Sequence, residues 1–68
     1  MGYQWCYSAG SLWVPFDNST QSAIENLWRQ SSAAWIYVGT FRAQCYVNGP
    51  GLYVHYGGNN YTIFRNGS

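Results

Sequence analysis

The sequence predicts an α+β domain, with one helix packed on a strongly twisted antiparallel sheet. Three observations carry that expectation. Short runs rich in aromatic and β-branched residues recur between Gly, Asn and Pro breaks, the pattern of strands and turns. A single segment near residues 22–29 spaces its apolar side chains three and four apart, the pattern of an amphipathic helix. The resulting order, ββ-α-ββββ, shows no repeat and no shift of composition that would mark a boundary, so residues 1–68 read as one domain.

Taken in order, Tyr3 to Ser8 is the first strand, closed by the hairpin-type connection Ser8-Ala9-Gly10-Ser11. Trp13 to Phe16 is expected to pair with it. Pro15 cannot donate to a ladder, which makes that second strand an edge or ends it. Residues 17–22 are dense in helix-capping types. Ser22-Ala23-Ile24-Glu25 has the spacing of a capping box, so the helix is expected to begin between Ser19 and Ser22. Ile24, Leu27 and Trp28 form its apolar stripe, while Glu25 and Arg29 sit four apart as a surface pair. It ends in Gln30-Ser31-Ser32. Trp35 to Val38 and Arg42 to Val47 then read as strands around a Gly39-Thr40 turn, and Asn48-Gly49-Pro50-Gly51 is a strong break. Leu52 to Tyr56 and Tyr61 to Arg65 form a closing hairpin across Gly57-Gly58-Asn59-Asn60.

At 68 residues the chain is near the lower limit for a self-sufficient core. Its aromatic content of 21% compensates, because each ring brings more contact area than an average core residue. Those rings, with only 7% charged residues, also exclude a disordered chain. No apolar run approaches the roughly 20 residues that span a bilayer, and the N-terminus has no signal-peptide pattern. The formal net charge is +1, from Arg29, Arg42 and Arg65 against Asp17 and Glu25. So little positive charge argues against duplex nucleic acid, whose binding needs many neutralised phosphates, but leaves room for a short anion held by one or two arginines.

Cys6 and Cys45 allow one disulfide or two buried thiols; without a signal peptide, reduced thiols and an intracellular home, in cytoplasm or nucleus, are the expectation. Asn18, Asn60 and Asn66 each begin a glycosylation acceptor triplet, a pattern with consequences only in a secreted chain. Catalysis finds little support. Asp17 and Glu25, the only carboxylates, sit where helix-start chemistry explains them, so no acid–base pair is expected. Nothing marks Cys6 or Cys45 as a thiol activated by His55. One His and two Cys, without CxxC or HxxxH spacing, do not read as a metal site. A non-catalytic domain without cofactor is the expectation.

Trp5 in YQWCY, Trp13 in WVPFD and Glu25 in SAIENLW together resemble the WWE domain, a family named for two tryptophans and a glutamate. The resemblance runs without gaps from the first strand into the helix. It continues more loosely through CYVNGPGLYVHY, similar to the family's aromatic strand and hydrophobic-x-Gln strand, and TIFRNG, similar to its closing basic strand. It implies a half-barrel of about six strands with one helix across it. Such domains occur beside ubiquitin-ligase or ADP-ribosyltransferase domains, and several members bind ADP-ribose units of poly(ADP-ribose) at the open end of the half-barrel.

Carried over position by position, the resemblance makes Tyr7 the first-strand pocket aromatic and Tyr46 the later tyrosine, with His55 where a glutamine often reads the ligand. Tyr61 stands where binding members commonly carry a phosphate-holding arginine, and Arg65 matches a later basic position. Arg65 and Arg42 are the candidate phosphate contacts, whereas Trp5, Trp13 and Glu25 are expected to be structural, as two core rings and a helix-cap acid. The expected function is a non-catalytic reader of ADP-ribose or iso-ADP-ribose within a larger ADP-ribosylation or ubiquitination protein. The rivals are a protein-interaction module using spare aromatics and a glycan-binding module, suggested by low charge and by richness in Tyr, Trp, Asn and Gly.

Overall fold

A computed structural model describes residues 2–67. Six strands and one helix follow the expected order: β1 (Tyr3–Ala9), β2 (Leu12–Pro15), α1 (Asn18–Arg29), β3 (Ala33–Val38), β4 (Ala43–Asn48), β5 (Tyr53–Tyr56) and β6 (Asn59–Gly67). The strands form one open antiparallel sheet in the order β2-β1-β6-β5-β4-β3, a half-barrel-like α+β fold. The last strand pairs with the first, Trp5 opposite Arg65 and Tyr7 opposite Ile63, and so joins the N-terminal hairpin to the C-terminal meander.

Two local features differ from expectation for identifiable reasons. The helix starts at Asn18, and its N-cap is Asp17, ahead of the Ser19–Ser22 window. One Asp17 oxygen accepts from the Thr20 amide at 3.3 Å and the other from the Thr20 hydroxyl at 2.6 Å. The Thr40 amide also donates to Asp17, at 2.9 Å, so this cap ties the helix start to the β3–β4 turn, a tertiary gain that Ser22 does not offer. The closing hairpin is tighter than a four-residue loop. Tyr56 pairs with Asn59, which leaves only Gly57 and Gly58 in the turn, at φ 59° and 81°. Two consecutive positive φ values make the mirror-image turn that matches strand twist, and glycine adopts them without strain.

Strand alternation sends Trp5, Val38, Cys45, Val47, Val54 and Ile63 to the face that α1 covers, where they pack around Ile24 and Phe16. Helix and sheet touch closely at Gly49, where a Cβ would lie 2.8 Å from the backbone of Leu27 and Trp28. Gln21 binds α1 to β1: its side chain accepts from the Trp5 amide and donates to the Trp5 and Phe16 carbonyls. It thereby continues the β1 ladder where β2 has ended at Pro15.

Trp5 is a fully buried ring, but Trp13 is not a core ring. Trp13 is 50% exposed on the opposite face and tilts against Phe64 at 5.3 Å. Glu25 is not a cap acid either. It is buried, and the Trp5 indole Nε1 donates to its Oε1 at 2.8 Å. The Arg65 guanidinium grips the same carboxylate through Nε and a terminal nitrogen, both at 2.9 Å, and Arg29 Nε adds a contact at 3.1 Å. Strand β1, helix α1 and strand β6 therefore meet at one carboxylate.

Candidate functional site

Alternation along β3 to β6 also fixes what the uncovered face carries. On β4, Cys45 and Val47 point to the core, so Tyr46 points outward, and the same parity turns Trp35 and Tyr37 of β3 and Tyr53 and His55 of β5 outward. The registers then align one row across four strands. Trp35 is opposite Tyr46, Tyr46 opposite His55, and His55 opposite Asn60. With Tyr53 one step along, this row lines an open groove of about 390 Å³.

The groove wall is mainly aromatic. Trp35 and Tyr46 tilt together at 5.5 Å, and Tyr46 and Tyr53 at 6.4 Å. Trp35 remains 64% exposed, so one broad ring face is free for a ligand. The polar side is a pair: His55 Nδ1 lies 2.6 Å from Asn60 Oδ1. An amide oxygen only accepts, so in this pairing Nδ1 carries the proton, and with that single N–H the ring offers Nε2 as an acceptor. No lining residue bears a carboxylate, ammonium or guanidinium group. The arrangement suits ring stacking with a few directed hydrogen bonds.

The six residues nominated as ligand contacts do not all meet. Tyr46 and His55 share the groove. Tyr7 and Tyr61 lie on the other, helix-bearing face, where Tyr7 packs on Phe16 at 5.2 Å, Phe41 at 4.9 Å and Tyr61 at 5.9 Å. Phe41 also stacks on Tyr56 at 4.7 Å with nearly parallel planes. These rings pack against one another, so Tyr7 and Tyr46 lie on opposite faces of the sheet, on strands β1 and β4 with β6 and β5 between them. Arg65 is on that inner face too, clamped to Glu25 and sandwiched between Trp28 at 4.7 Å and Tyr3 at 5.3 Å. Arg42 is exposed in the β3–β4 turn, outside the groove lining.

Trp35, Tyr53 and Asn60 were not nominated, although the sequence holds a signal for Trp35 and for Asn60. The alternation in AAWIYV puts Trp35 and Tyr37 on one side and Ile36 and Val38 on the other. A two-residue Gly57-Gly58 turn places Asn60 opposite His55, whereas a four-residue reading leaves it in the loop.

Electrostatics follow the same division. The strongest perturbation is at Glu25, whose pKa falls to about 2 because of the Arg65 hydrogen bonds, against burial that opposes it, with Trp5 and Arg29 adding to the drop. At Asp17 burial pushes the carboxyl up, but the hydrogen bonds from Thr20 and Thr40 outweigh it, and the pKa is lowered. Burial raises both thiols. Among the described residues no group of three or more His, Cys, Asp and Glu is placed to hold a metal, and no helix is long and apolar enough to cross a membrane.

No family model, curated protein or solved structure matches the chain.

Proposed function

We propose that this chain is a non-catalytic binding module whose outer-face groove takes the adenosine end of ADP-ribose, free or as the iso-ADP-ribose unit of poly(ADP-ribose). One observation carries the reading. Tyr46 and His55, the later-strand positions that the WWE resemblance assigns to the ligand, line a single groove together with Trp35 and Tyr53. Adenine offers a flat face for Trp35 or Tyr46, and each base–aromatic stack contributes about 1–3 kcal/mol. Its exocyclic amine supplies a donor for His55 Nε2.

The uncharged lining sets the strength. With Arg65 held by Glu25, the pyrophosphate finds no cation in the groove and stays in solvent at its rim. Affinity is then micromolar at best, about −8 kcal/mol, with a shallow salt dependence. On this reading the module works beside an ADP-ribosyltransferase or ubiquitin-ligase domain in cytoplasm or nucleus.

The same lack of charge favours a second reading, a neutral glycan laid on Trp35 with its hydroxyls on His55 and Asn60. Calorimetric titration with ADP-ribose, iso-ADP-ribose and neutral oligosaccharides separates the two. Heat with either nucleotide, abolished by Trp35→Ala, supports the first. Silence toward both nucleotides up to millimolar concentration removes it, and heat with the oligosaccharides alone establishes the second.

A further inference from the structure

The sheet has two edges, and only one is blunted. Strand β2 spans four residues and contains Pro15. The Phe16 amide bonds the Trp5 carbonyl, and hydrogen-bonded positions alternate, so Leu12 and Val14 face β1 while Trp13 and Pro15 face the free edge. Pro15 thus removes a donor where a foreign strand would need it. Strand β3 carries six residues, Ala33–Val38, with no proline. No charged residue lies between Arg29 and Arg42.

The Gly49 amide donates to the Ser32 carbonyl, and that pair is in register with β3–β4. Alternation from there gives Ala34, Ile36 and Val38 the bonds to β4 and turns the N–H and C=O of Ala33, Trp35 and Tyr37 to the open edge. None of those groups has a hydrogen-bond partner among the described residues outside the β3–β4 ladder.

We infer that this edge pairs with the same edge of a second copy, antiparallel, about a two-fold axis through Trp35. The register is selected by satisfaction of the backbone. With Trp35 opposite the partner's Trp35, and Ala33 opposite the partner's Tyr37, all three pairs of outward positions exchange two hydrogen bonds each. A slip of two residues in either direction leaves one of the three residues in each copy unpaired. Side-chain sizes agree with that register on both faces. Outside, small Ala33 meets large Tyr37. Inside, small Ala34 meets Ile36, and both are half-buried in the monomer. A net charge of +1 puts little repulsion between copies. The outcome is a continuous twelve-stranded sheet, the six strands of each copy joined edge to edge. This inference is independent of what the groove binds.

Sedimentation velocity over a concentration series tests the association, and engineered cysteines test the register. The wild-type chain is expected to show a monomer–dimer equilibrium. Tyr37→Lys and Tyr37→Pro, which touch an outward N–H and no bond to β4, are expected to raise the dissociation constant at least about tenfold while the amide spectrum of the fold persists. In a hydrogen-bonded antiparallel pair the Cα atoms are about 5.5 Å apart, within disulfide reach. Trp35→Cys is therefore expected to yield a covalent dimer on mild oxidation, and Ile36→Cys, which would face the partner's Ala34, is not. A chain that stays monomeric at every concentration overturns the inference, including one whose edge takes an extended peptide from another protein. So does a dimer indifferent to both Tyr37 variants, or equal crosslinking from Trp35→Cys and Ile36→Cys.

Discussion

The two faces of one sheet use similar side chains for opposite ends. On the inner face Tyr7, Phe41, Tyr56 and Tyr61 pack on one another, Trp5 packs edge-on against Trp28 of α1, and the buried Glu25 carboxylate is bonded by Trp5, Arg65 and Arg29. On the outer face Trp13, Trp35, Tyr37 and Phe64 keep between 47% and 64% of their surface. Ring content alone therefore says little about where a ligand goes; strand parity decides whether a ring builds the core or stays available for contact.

Truncation should break this contrast in proportion to burial. The largest loss is expected for Trp5→Ala, which removes a fully buried ring and the donor to Glu25: about 3–5 kcal/mol of unfolding free energy by urea titration. Glu25→Gln comes next. Losing the charge in a buried site that binds Trp5 and Arg65 is expected to cost about 2–3 kcal/mol by the same measurement. Asp17→Ala removes the helix cap and is expected to cost about 1 kcal/mol. The smallest effect belongs to the outer face, where Trp35→Ala should change stability by less than about 0.5 kcal/mol while abolishing groove binding. If Trp35→Ala destabilises as much as Trp5→Ala, the distinction between faces is wrong.

Acid sharpens the same contrast. The Glu25 pKa is about 2 in the folded chain against 4.5 as its ordinary value, so the folded state binds the proton less readily than the unfolded one. Its contribution is fully present above the unfolded value and is lost as pH falls from about 4.5 toward about 2. Urea midpoints measured across that window should drop in the wild type and flatten in Glu25→Gln, with Asp17 leaving a smaller slope in the same direction.

Much of the fold was legible because the turn residues and the strand alternation speak locally. Pro15 and the Asn48-Gly49-Pro50-Gly51 break each have a backbone consequence that depends on few distant contacts. Two of the misread features are decided by distant partners, whereas the Gly57-Gly58 turn, expected as a four-residue loop, is set by its own backbone. Asp17 wins the cap from Ser22 through Thr40, which is 23 positions away in the chain, and Glu25 exchanges its local capping role for Arg65, 40 positions on. The candidate site was half visible. Tyr46 and His55 were found by resemblance, but grouping them with Tyr7 ignored parity. Tyr7 follows Trp5 by two residues on β1 and must share its inward face, whereas Tyr46 lies between the inward Cys45 and Val47.

The two cysteines fall on either side of that same partition. Cys6 turns outward from β1 between Pro15 and Phe64, Cys45 turns inward from β4, and both are free and nearly inaccessible. A thiol reagent can reach Cys45 only when α1 lifts from the sheet, and Cys6 only when its own cover parts. The labelling rates of the two sulfurs in native buffer thus serve as built-in clocks for the opening of each layer, with no foreign reporter introduced.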